Sequence, residues 1–129
     1  MKNRPYDLLK IRPQIKKIEG FDKMSNLESF QNHTLRPILK LQNPILLEVF
    51  RNYIDTRKGV FYKLSTESRF DYIKKTLQKD QKFQNYIKGV VIGHFTIEEF
   101  NLYSQNTSAL NKRIMSLVIK RIKDQVNLF

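Results

Sequence analysis

Between Asp80 and Val91 the apolar residues Phe83, Tyr86, Ile87, Val90 and Val91 recur at intervals of three and four. That spacing lines one face of an α-helix and cannot line one face of a strand. Weaker versions of the period recur at Phe70, Ile73 and Leu77, and at Ile45, Val49, Phe50, Tyr53 and Ile54. The C-terminal stretch adds Leu110, Ile114, Leu117, Val118, Ile122 and Val126. Only four glycines occur in 129 residues, few for the tight turns of an all-β chain. Apolar residues make up 40% of the chain, enough for a core but at this length for one domain. The expected fold is all-α: a compact bundle of about five or six helices with a basic N-terminal arm.

The element boundaries follow from side chains that satisfy free backbone groups. Residues 1–24 read as the arm, with one short helical turn over Tyr6–Ile11 between Pro5 and Pro13, and a break at Gly20. Residues 25–129 read as a single helical domain. Ser25 and Glu28 form a capping-box pattern that opens a short helix. A longer helix runs from Thr34 or Arg36 to Arg57, with Pro37 in its first turn. Pro44 either kinks that helix or starts a second one, and a kinked, nearly continuous helix is favoured. Lys58-Gly59 stops it. Ser65 and Asp80 cap the next two helices. Thr96 and Glu99 form a second capping box, flanked by Phe95 and Phe100 at hydrophobic-staple positions. The last helix is expected over Ser108–Asn127.

Composition removes several classes of chemistry. There is no cysteine, hence no disulfide, thiolate zinc site or cysteine nucleophile. His33 and His94 lie far apart, neither with another ligand at a metal-helix spacing, so no metal or other cofactor is expected. Gly89-Val90-Val91-Ile92-Gly93 lacks the Lys-Ser/Thr of a phosphate loop. Glu98 and Glu99 are adjacent on a helix and make a poor catalytic dyad. No apolar run approaches membrane-spanning length, and the first residues show no secretory signal. A cytoplasmic protein is the simplest expectation.

What remains is charge and a few misplaced residues. The chain carries 24 Lys+Arg against 12 Asp+Glu, a net charge of +12 spread along its length. On the last helix Lys112, Arg113, Lys120 and Lys123 share a face opposite the apolar arc, where they could neutralise phosphates or simply meet water. Arg121 projects into that apolar arc, and Arg57 does the same beside Phe50 and Tyr53. Each should therefore be partly covered and need an acceptor, supplied by an internal partner or by a bound anion. The internal partner is favoured. Gly89 and Gly93, four apart, fit either a dimer contact or intradomain packing and a helix end, and the second is favoured. Tyr53, Tyr62, Tyr72, Tyr86 and Tyr103 interleave with basic residues but sit mostly at core spacing.

The runs Thr34–Gln42, Val49–Ile54 and Ser108–Arg113 resemble a family of short, basic, uncharacterised bacterial proteins. Some members carry the label glyoxalase. Glyoxalase I enzymes use a sheet-based fold with His, Glu and Gln metal ligands, and glyoxalase II enzymes a His-rich dinuclear motif. The residues here supply neither. The leading expectation is a non-catalytic binding or adaptor protein with a protein partner. The alternatives are a nucleic-acid-binding protein using the basic face of the last helix, and an anion binder or enzyme built around Arg57 and Arg121.

Overall fold

A computed structural model describes residues 3–13 and 25–129. Seven α-helices occur among them: α1 (Arg4–Ile11), α2 (Asn26–Phe30), α3 (Arg36–Thr56), α4 (Thr66–Lys79), α5 (Gln81–Ile92), α6 (Ile97–Gln105) and α7 (Thr107–Asp124). Short 3-10 turns at Val60–Lys63 and Val126–Leu128 follow α3 and α7. No strand occurs among the described residues. The expected boundary near residue 24 and the break at Gly20 lie outside the described residues.

The helix starts obey local chemistry. The hydroxyls of Ser25 and Ser65 accept the amides of Glu28 and Ser68, and the Asp80 carboxylate accepts that of Phe83. At Thr96 the capping box is complete: Thr96 Oγ1 accepts from Glu99 N at 3.1 Å, and Glu99 Oε1 accepts from Thr96 N at 2.8 Å. Lys58 and Gly59 both take left-handed backbone, with φ of 63° and 62°, and end α3.

The short helix after Ser25 does not stop before the longer one. α2 and α3 are joined by a π turn over Gln31–Leu35 into one rod, in which the Arg36 N–H reaches back five residues to the Gln31 carbonyl. Pro37 supplies the physical reason. Inside a rod its ring crowds the carbonyl four residues back and its missing N–H removes one bond. A wider π turn just before it takes up the misfit. Pro44 sits within α3, which continues through it.

The core gathers around Phe50, which is fully buried. The rings of Phe61, Phe83 and Phe129 lie 5.7, 6.3 and 5.3 Å from it. Leu110, Ile114, Val118 and Ile122 bury the expected arc of α7. The hydrophobic staple departs from expectation. Phe95 is buried against Phe30 and Tyr103, whereas Phe100 is 44% exposed.

Part of the expected arm is docked. Pro5 lies in the first turn of α1, and Asn3 caps it. Arg4 donates to the carbonyls of Phe95 (2.7 Å) and Gly93 (3.1 Å), and Arg12 is buried beneath the start of α6.

Candidate anion-binding groove

The α2–α3 rod and α7 run parallel. Contacts climb together along both: Gln31 meets Arg113, Asn43 meets Gln125, and Arg51 meets the Leu128 carbonyl. Parallel packing sets Arg36 beside Lys120 and Arg121. These three cations, with Leu39, Leu117, Asp124 and Gln125, line a groove of about 230 Å³.

Arg121 is half-buried there, as its helical position predicts. Its acceptor is a side-chain amide: Nη1 makes a long 3.4 Å contact to Asn43 Oδ1. Asn43 and Gln125 hold each other through two reciprocal amide bonds of 2.8 Å, and Gln125 also donates to the Arg121 carbonyl at 3.0 Å. An amide orients a guanidinium but leaves its charge in place. Burial, and then the positive charge of Arg36, pull the Arg121 guanidinium below its ordinary value, with Asp124 acting in the opposite sense. Arg36 donates through Nε to Asn32 Oδ1 at 2.8 Å. The ion pairs among the described residues are Arg12–Glu99, Arg51–Glu48 and Arg57–Asp80, so none involves a groove cation.

Arg57 lies elsewhere, outside the core, partly covered by the Tyr53 ring and with an internal carboxylate as its partner. It has left helical geometry as the C-cap of α3, so the helical angle that set it beside Phe50 no longer applies. Its side chain is 47% exposed, lies 3.4 Å above the Tyr53 ring and pairs with Asp80 at 3.3 Å. It lines a separate cavity with Tyr53, Phe83 and Tyr86, so Arg57 and Arg121 do not share one pocket. Tyr53 donates to Asp80 Oδ2 at 2.7 Å; burial, this bond and the Asp80 charge push its hydroxyl up to about 12, against the opposing charge of Arg57.

The expected basic face of α7 is divided. Lys120 opens onto the α3 groove, while Lys112 overhangs a different one with Leu77, Gln84, Lys88 and Met115. Arg113 donates to Gln31 Oε1 at 3.0 Å, and Lys123 is half-buried. Gly89 is exposed with open space where a Cβ would stand, and Gly93 closes α5.

A second polar constellation escaped the sequence. Arg12 grips Glu99 with two 2.6 Å bonds and donates to the His94 carbonyl at 2.7 Å. Thr34 Oγ1 adds a 2.9 Å bond to Glu99. Burial pushes the Glu99 carboxyl up, but Arg12, the Thr96 amide and Thr34 outweigh it and hold it below the ordinary carboxylate value. His94 is pulled below its ordinary value by burial and by the charges of Arg12 and Arg4. This cluster is a clasp, with every Glu99 oxygen already engaged. Among the described residues no group of three His, Asp or Glu side chains could hold a metal ion. No helix of the described residues is long and apolar enough to cross a membrane. Comparisons with family models, curated proteins and solved structures give no match.

Proposed function

We propose that this chain is a binding protein that engages a polyanion, a nucleic-acid strand, through the groove between α3 and α7. The observation that carries this reading is the grouping of Arg36, Lys120 and Arg121 in one groove, none ion-paired to a carboxylate among the described residues. Guanidinium forks and an ammonium suit phosphate oxygens, and each contact releases condensed counterions. The net charge of +12 adds long-range attraction. The apolar lining of the groove is buried Leu39 and half-buried Leu117, with no aromatic platform, so the expected binding follows the backbone and is indifferent to sequence.

The test is retention of the purified protein on single-stranded DNA and RNA at low salt. Reversing Lys120 together with Arg36 to Glu should weaken retention strongly, and reversing Lys112 should weaken it little. Equal losses from both would place the contact on the broad face of α7, and no retention of the wild type would end the reading.

A further inference from the structure

We infer that the α3–α7 groove is a discrete site for one phosphoryl group, anchored by Arg121 and closed by Arg36 and Lys120. This deepens the polyanion reading and rests on it for the source of the phosphoryl group.

Three features set the groove apart from a diffuse basic surface. Arg121 is oriented before any ligand arrives by one long 3.4 Å contact from Nη1 to Asn43 Oδ1, an oxygen that Gln125 holds. A cation already oriented loses less freedom on binding than an unrestrained one. Arg36 is also oriented, through its Nε bond to Asn32, which leaves both of its Nη groups without a partner among the described residues. Burial, and then the positive charge of Arg36, disfavour the charged form of Arg121. An anion seated between them removes that repulsion. The groove that Lys88 and Lys112 line contains no guanidinium, and Arg57 is stacked on Tyr53 and paired with Asp80.

The groove contains one opposing group, Asp124, which lines it without forming an ion pair. That carboxylate makes the inference sharp. A site for an anion must be weakened by it, and a site for a cation or a neutral ligand must not. The acceptor set around Arg121 is otherwise amide oxygen, which cannot repel a phosphoryl group as a carboxylate does.

The probes are inorganic phosphate and a short oligothymidylate, followed by the Nε–Hε signals of Arg36 and Arg121 in NMR spectra of the whole chain. Both signals should shift on titration with phosphate. Asp124→Asn should tighten phosphate binding several-fold, and Lys120→Gln should weaken it roughly tenfold. Both substitutions are at exposed positions, so folding is retained, and an unchanged spectrum elsewhere verifies it. Failure of Asp124→Asn to tighten binding overturns the inference, as does a phosphate response confined to other residues. The oligonucleotide separates the two readings. If it binds without moving the Arg36 and Arg121 signals, the discrete site falls and the polyanion reading stands. If phosphate binds in the groove and the oligonucleotide does not, the site stands with free phosphate as its source and the polyanion reading falls.

Discussion

Glu99 shows how one side chain can serve two levels of structure. Its place three residues after Thr96 announces a helix start, and that much is readable from local spacing. Its pairing with Arg12 spans 87 residues and has no local signature, so the sequence offers Arg12 only as one charge in a basic arm. The pair is almost covered, with side-chain exposures of 5% and 14%. Arg12→Ala should therefore destabilise by roughly 3–5 kcal/mol in chemical denaturation, since it strands a buried carboxylate. The pH dependence follows from the signs. Glu99 is lowered in the folded state, so its contribution is full above the unfolded value near 4.3 and is lost as pH falls through the folded one. His94 is also lowered, so the unfolded chain binds its proton first and stability starts to fall below about pH 6.5. Unfolding midpoints measured across that acid range should drop, and Glu99→Gln should remove the lower part of the slope. Tyr53 acts at the other extreme. With its hydroxyl at about 12, stability should decline as pH rises from about 10 towards that value, and Tyr53→Phe should abolish this component.

At the scale of elements the apolar stripes were legible because burial enforces the helical period. Phe83, Ile87 and Val91 are buried on α5, although Tyr86 of the same stripe is 58% exposed, and Leu110, Ile114, Val118 and Ile122 are buried on α7. Two features were not legible. The π turn arises from a conflict between Pro37 and a rod that the Ser25 start extends past it, and a pattern of apolar positions does not show whether two helices join. The staple pairs Phe95 with Phe100 by sequence position, yet which ring enters the core depends on Phe30 and Tyr103 from elsewhere. Phe95→Ala should thus cost about 3–5 kcal/mol, and Phe100→Ala clearly less, in the same unfolding assay. Gly89 gives an opposite sign. Nothing lies within 4 Å of a Cβ added there, so Gly89→Ala should stabilise α5 by about 0.5–1 kcal/mol. A loss of stability at that position would point instead to a close contact with a second copy.

At the scale of the whole molecule the charge is readable from composition and its arrangement is not. Helical angles place Lys112, Arg113, Lys120 and Lys123 on one side of α7, but the packed helices set Lys120 and Lys112 in different grooves and turn Arg113 to Gln31. Arg121 was singled out because it breaks an apolar arc, and the parallel α2–α3 rod then supplies Arg36 beside it. Arg36 carried no signal of its own, because only the packing of one rod on another brings it there. The account therefore stands on the groove acting as a unit, and the salt dependence of single-strand binding reads that directly. The slope of log affinity against log salt should lose about 0.7 for each groove cation neutralised, in Lys120→Gln and again in the double variant with Arg36→Gln. An unchanged slope in both variants, or one that falls equally on neutralising Lys112, would contradict the account.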